Sequence, residues 1–321
     1  MTTSTRQAGS AGEQLVVVTG ASTGMGAATA RELAGRGFHV LAGVRRDSDA
    51  DALRANRIEP LILDITVDGD VAALADRVAF DPDHRGLRAV VNNAGVAVNA
   101  PVEVLPLAEW RQQFDVNLFG HIAVTQALLP ALLASRGTVV NISSVGGRVA
   151  MATYGAYAGS KFALEAVSDA LRRELTGLGV HVVVVEPGAV ITEMAGRGVA
   201  TADRLAAGMT PDQHRRYDAL IGAVTTQARA FTRNGVSAQR AARVIADAAT
   251  AATPRTRYTI GRDAAVITRL ARVVPDRLLD RLLHRNLTPH YTPQVGITPT
   301  TPAPAASATA MTGGSGTRLA G

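Results

Sequence analysis

Short runs of Val, Ile and Leu recur along this chain and alternate with longer stretches of helical period. The apolar runs are Leu15–Val18, Phe38–Gly43, Pro60–Leu63, Leu87–Val91, Thr138–Ile142 and Val180–Val185, with a shorter one at Arg257–Ile260. A half-exposed strand alternates apolar and polar residues, so a continuous apolar run is a strand covered on both faces. Helical patterns fall between the runs, at Met25–Ala34, Asp49–Ala55, Val71–Ala79, Leu107–Leu133 and Tyr154–Leu175. Strand and helix in that order, joined by right-handed crossovers, predict an α/β fold: a doubly wound, mostly parallel sheet with helices on both faces. Residues 14–290 are expected to form one such domain, ending in a helical extension. Residues 1–13 are small and polar, and residues 291–321 are rich in Thr, Pro, Ala and Gly; both ends read as disordered.

Composition removes several function classes. The chain has no cysteine, which excludes disulfide scaffolds, thiolate metal sites and thiol nucleophiles. His121 and His181 have no carboxylate or second histidine at ligand spacing, so no metal is expected. No run of eighteen apolar residues predicts a membrane span, and Met1–Gln14 lacks the pattern of a secretory signal. A soluble, cytoplasmic protein is the expectation. The net charge is +6, but arginines and acids are interspersed without a basic run, which argues against nucleic acid as a partner. Of the 33 basic residues only Lys161 is a lysine. The exception fits a chemical need for an ammonium at that place; taken alone, it fits better a genomic base bias with one accidental survivor.

In an open α/β sheet the ligand lies beyond the carboxyl ends of the strands. After the first run the chain reads Thr19-Gly20-Ala21-Ser22-Thr23-Gly24-Met25-Gly26, then enters a helix. Glycines let this turn approach a pyrophosphate, and the helix start adds free N–H groups; taken alone, the turn also fits tight packing. After the second run Val44 stands where an acid would grip the ribose of NAD, and Arg45 follows, which suits the 2′-phosphate of NADP(H). Asp47, two residues on, leaves NAD(H) as the alternative. Asn92-Asn93-Ala94-Gly95 follows the fourth run, with small residues that let the backbone lie against a cofactor.

Four residues are the candidates for the chemistry. Tyr157 and Lys161 are four apart on one helix face, Ser144 lies thirteen residues before the tyrosine, and Asn117 forty before it. Reducing a ketone with a nicotinamide needs a hydride on carbon and a proton on oxygen. A tyrosine hydroxyl supplies the proton, and a nearby ammonium favours its ionised form. The same lysine has donors for the nicotinamide ribose, and Ser144 has one for the substrate oxygen.

The Gly20–Gly26 spacing, Asn92–Gly95 and the Asn117, Ser144, Tyr157, Lys161 set together resemble the short-chain dehydrogenase/reductase family, over about Gln14–Met194. That resemblance implies a Rossmann-like fold and an oxidoreductase of the NADP(H) type. It implies that Asp64, followed by Ile65, contacts the adenine, and that Asn93, Ala94 and Gly95 lie near the adenosine ribose. It gives Asn117 a water that links Lys161 to solvent. It also matches Pro187-Gly188-Ala189-Val190-Ile191-Thr192, where Val190 binds the carboxamide and Thr192 steadies the cofactor. A homo-oligomer, built through the Leu107–Leu133 and Tyr154–Leu175 helices, is expected on the same ground. A catalytically silent NAD(P)-binding regulator on this fold is the rival reading.

The segment from about 195 to 231 interrupts the strand pattern and reads as a substrate lid. Met194, Leu205, Met209, Tyr217, Leu220, Ile221, Val224 and Phe231 suit either an apolar lid or ordinary core packing. As a lid they favour a small-molecule ketone or alcohol of steroid, retinoid, acyl or polyketide type. Ala264–Leu287 alternates arginines with leucines and reads as one amphipathic helix, for packing or for peripheral membrane contact, with packing favoured.

Overall fold

The computed structural model describes residues 14–271 and 273–291; the segments 1–13 and 292–321, expected to be disordered, lie outside the described residues. The chain runs β1 (Gln14–Val18), α1 (Gly24–Gly35), β2 (His39–Val44), α2 (Asp47–Leu53), β3 (Ile58–Ile62), α3 (Asp68–Ala79) and β4 (Gly86–Asn92). It continues through α4 (Leu107–Phe114), a π-helical turn (Asp115–Phe119), α5 (Gly120–Ser135), β5 (Thr138–Ile142), α6 (Gly155–Glu174) and β6 (His181–Pro187). The remainder is β7 (Val190–Ile191), α7 (Glu193–Ala206), α8 (Pro211–Arg233), β8 (Val236–Ser237), α9 (Ala238–Thr250), β9 (Arg257–Ile260), α10 (Arg262–Leu270) and α11 (Asp276–Leu287).

Seven strands form one parallel sheet in the order β3-β2-β1-β4-β5-β6-β9, as the strand–helix alternation predicts, and β7 pairs with β8 beside it. The unbroken apolar runs are explained by the two faces. Val16, Val18, Val40 and Val91 pack in a core with Leu33 and Ile245 of α1 and α9. Their neighbours Leu15, Val17, Leu41 and Val90 point the other way, against Leu74, Val124 and Leu128 of α3 and α5. The order reverses between β1 and β4, so the ends of those two strands open the crevice where the motif residues gather.

Three elements differ from the sequence reading. The expected Leu107–Leu133 helix is interrupted by the π turn, whose extra residue buries Asn117. Where no spanning segment was expected, Leu107–Ser135 has the length and apolar composition to cross a membrane, but its Val124, Leu128 and Leu132 are the row packed on the sheet. The expected Ala264–Leu287 helix is two, α10 and α11. Pro275 starts the second, and a proline disfavours helical backbone in the residue before it. At the C-terminal end Tyr291 packs with Val224 and Leu287.

Candidate active site

The glycine turn after β1 is held by its neighbours. Thr19 Oγ1 accepts from the backbone N–H groups of Asn93 and Ala94, each at 3.0 Å. Asn93 Nδ2 donates to the carbonyls of Thr19 (2.9 Å) and Gly20 (3.0 Å). A Cβ on Gly26 would stand 2.2 Å from the Gly20 carbonyl oxygen, and one on Gly20, at φ +63, 2.6 Å from Ala94 Cα. Thr23 caps α1 without a side-chain hydrogen bond, and no acid sits in the first turn. The backbone around Ser22–Met25 therefore keeps its donors for an anion. Asn93, expected beside the ribose, has its amide bound to the glycine turn.

On the adenosine side Arg45 is exposed at the end of β2. Asp47 instead opens α2, where the helix dipole favours an acid. Burial raises the Asp64 carboxyl, but the Thr66 bonds and the Arg45 charge prevail and hold it below its usual value. Ile65 beside it is buried against Gly120. On the far side β6 ends at Pro187, Gly188 N–H donates to Ile260 O at 2.8 Å, and Thr192 lies against Gly24. Gly24 of the glycine turn and Thr192 beyond β6 thus face each other.

Ser144 and Tyr157 stand together on the wall of one cavity, with Lys161 on the next turn of α6 and Asn117 bonded to Ser160 of the same helix. Ser144 opens the short turn Val145–Gly147, its Oγ accepting from Gly146 N–H at 3.0 Å. Gly146 in turn lies against the Tyr157 ring, where a Cβ would stand 3.1 Å from Cε1. Lys161, one turn along α6, is buried and donates from Nζ to the Ile142 carbonyl at 2.8 Å. Burial lowers its ammonium to about 8, with Glu165 pulling upward. The expected acidification of Tyr157 by this ammonium is overturned here. Burial of the phenol is the larger influence and raises it above the usual value, with the Ser144 side chain pulling against it. His121, lowered to about 3 by burial and by Lys161, stays neutral and bonds the Ala94 carbonyl at 2.7 Å. Asn117 grips the same loop: Oδ1 accepts from Val96 N–H at 2.9 Å, and Nδ2 donates to Val96 O at 3.0 Å and Ser160 Oγ at 3.2 Å.

Behind Lys161 lies an ion network that the sequence reading missed. Arg148 joins Glu165 (2.7 Å) and Glu186 (2.8 Å), and Arg257 joins Glu165 (3.1 Å) and Asp169 (2.7 Å). It ties the Ser144 turn, α6, β6 and β9 together. Glu165 and Asp169 follow Lys161 at intervals of four, a spacing that signals one helix face.

A cavity of about 760 Å³ opens over Ser144 and Tyr157. Of the expected lid residues, Met194, Met209, Ile221, Val224 and Phe231 line it. Three do not. Leu205 packs with Val98, Leu220 packs with Val224 and Leu287, and the Tyr217 hydroxyl bonds Glu103 at 2.8 Å. Tyr154 also lines the cavity, its ring edge-on to Tyr157, the centroids 6.3 Å apart.

Comparison with known proteins agrees with this fold. Residues 14–203 match the profile of the family described as short chain dehydrogenase. The chain is 32% identical over 279 residues to an NADPH-dependent 3-dehydrocapnine reductase of Ornithobacterium rhinotracheale, covering 84% of this chain and 96% of that one. It is 35% identical over 285 residues to mouse retinol dehydrogenase 16, covering 85% and 88%. A Burkholderia cenocepacia short chain dehydrogenase, crystallised with NADP, superposes with a TM-score of 0.64 at 27% identity, covering 84% of this chain and 97% of that one.

Proposed function

The chain belongs to the short-chain dehydrogenase/reductase family, and from that premise we propose an NADP(H)-dependent oxidoreductase that interconverts a secondary alcohol and a ketone on a hydrophobic substrate. The observation that carries this reading is the placing of Ser144 and Tyr157 in the wall of one largely apolar cavity, with Lys161 directly behind and the glycine turn at its edge. The relatives named reductase and retinol dehydrogenase support the substrate character. Gly20–Gly26, Arg45, Asp64, Ala94, Gly95 and Pro187–Thr192 would hold NADP(H), with NAD(H) as the alternative. Bound there, the nicotinamide supplies or removes a hydride. Ser144 Oγ orients the substrate oxygen and donates to the charge that grows on it. Tyr157, kept protonated by burial, releases its proton to that oxygen in the reductive direction. Lys161 is the positive charge available to the phenolate that results. Asn117 fixes the Val96 loop and, as the family resemblance implies, would hold a water that relays protons to Lys161. A cytoplasmic homo-oligomer that contacts neither nucleic acid nor membrane completes the proposal.

The direct test is NADPH oxidation with a panel of apolar ketones, including retinal analogues, steroids and medium-chain ketones. Consumption with at least one of them is expected; none with any member contradicts the reading.

Two further outcomes follow. Arg45→Ala is expected to weaken NADPH by about tenfold and NADH by less than about twofold, because the 2′-phosphate loses a charge-assisted partner; equal losses would remove Arg45 from the phosphate. The second concerns pH. Lys161 loses its charge as pH rises through about 8, so kcat/KM for reduction is expected to fall along an alkaline limb there. Glu165→Gln removes the charge that holds the ammonium up, so the limb moves toward neutral, while Glu165→Asp leaves it nearer its place. A limb unmoved by Glu165→Gln would show that the network acts on stability only.

A further inference from the structure

The cavity over Ser144 and Tyr157 is apolar along most of its wall, and its charge is confined to one place. Among the described residues, Arg229 and Arg233 are the charged side chains on the lining, and no carboxylate joins them. Both stand near the end of α8, four residues apart and so on one face. Like charges at that spacing destabilise a helix, so helix stability does not account for the pair. The same helix pairs its two other arginines, Arg215 with Asp212 and Arg216 with Glu103. Neither Arg229 nor Arg233 forms an ion pair among the described residues. The helix dipole explains a cation in the last turn, at Arg233. It does not explain a second cation one turn earlier on the cavity wall.

The cavity face of α8 changes character along its length. Ile221 and Val224 come first, and Val224 packs beside Tyr154, whose ring meets Tyr157. Thr225, Ala228, Arg229, Phe231, Thr232 and Arg233 follow, so the two cations of this wall stand in its second half, with Phe231 between them. From Val224 to Arg229 the helix rises about 8 Å. An apolar group near the tyrosines and an anion at the end of α8 fit this wall together; a fully neutral ligand leaves two cations without a counterpart.

We propose that the substrate is amphiphilic, an apolar ketone or alcohol whose chain also carries a carboxylate-like anion, and that Arg229 and Arg233 bind that anion. This rests on the cavity being the substrate site of the proposed oxidoreductase. Met25 and Gly188 also line the cavity, so the diphosphate of the cofactor is the competing source of negative charge, and the test separates the two.

The test uses the whole chain and the double variant Arg229→Gln/Arg233→Gln; both side chains are exposed, so the core is untouched. Decanoate and decanol are titrated calorimetrically into NADP-saturated protein, and NADPH is titrated into protein alone. Decanoate is expected to bind at least about tenfold more tightly than decanol, and the double variant to abolish that preference. In the same variant NADPH affinity is expected to stay within about twofold. Equal binding of the acid and the alcohol, or a preference that survives in the variant, overturns the proposal. A tenfold loss of NADPH affinity in the variant, about 1.4 kcal/mol, overturns it as well and gives the arginines to the cofactor. Ketone assays keep the two readings apart. A chain that prefers decanoate but reduces no ketone retains the anion site and loses the oxidoreductase reading. One that reduces oxo fatty acids and their methyl esters with equal KM retains the reaction and loses the anion site.

Discussion

Tyr157→Phe is expected to lower kcat/KM for NADPH-driven ketone reduction by about a thousandfold, about 4 kcal/mol of barrier, and to leave NADPH affinity within about twofold. The substitution removes one oxygen and nothing else from the cavity wall. The ring keeps its contact with Gly146 and its edge-on packing against Tyr154. What disappears is the proton that burial holds on the phenol. Without it, the growing charge on the substrate oxygen meets Ser144 alone, and hydride arrives on a carbonyl with no acid beside it. Turnover within about tenfold of the parent would remove Tyr157 from the acid role.

Gly26→Ala is expected to weaken NADPH binding by about a hundredfold, about 3 kcal/mol. The added methyl would lie 2.2 Å from the Gly20 carbonyl oxygen and 2.5 Å from Asn93 Nδ2. Neither neighbour has room to yield. The carbonyl belongs to the turn itself, and the amide is fixed by its bonds to Thr19 and Gly20. The turn must open, and the N–H donors of α1 lose their aim on the diphosphate. Far-UV circular dichroism is expected to be unchanged, since the strands lie outside the clash. Unaltered NADPH affinity in a folded Gly26→Ala variant would contradict the placing of the cofactor on this turn.

The sheet was legible because its strands are buried on both faces, so Val16–Val18 and Val182–Val185 write their structure as uninterrupted apolar runs. The residues that follow each strand were legible because chemistry constrains their types as well as their spacing, as with Tyr157 and Lys161. What stayed hidden has no local signature. The π turn that buries Asn117 interrupts the helical pattern at Asp115–Phe119, where no proline marks the break. The network of Arg148, Glu165, Glu186 and Arg257 comes from four separate elements, and only the fold brings Glu186 of β6 to the side of α6. The balance on Tyr157 was misread for a related reason. A spacing of four places an ammonium near a phenol, but how deeply both are buried is a property of the packed structure. Burial proved larger, and the ammonium turned to the Ile142 carbonyl. The break at Pro275 had a written signal in the proline itself, outweighed in the sequence reading by the regular alternation of Arg and Leu.

The most direct test follows the hydride. The protein is incubated with NADPH deuterated at the reactive nicotinamide carbon and an apolar ketone that supports turnover, and the alcohol is analysed by mass spectrometry. One deuterium is expected on the carbinol carbon, and none there when unlabelled NADPH is used in heavy water. An alcohol whose carbinol hydrogen comes from the solvent, or NADPH left unconsumed beside every ketone offered, would contradict it.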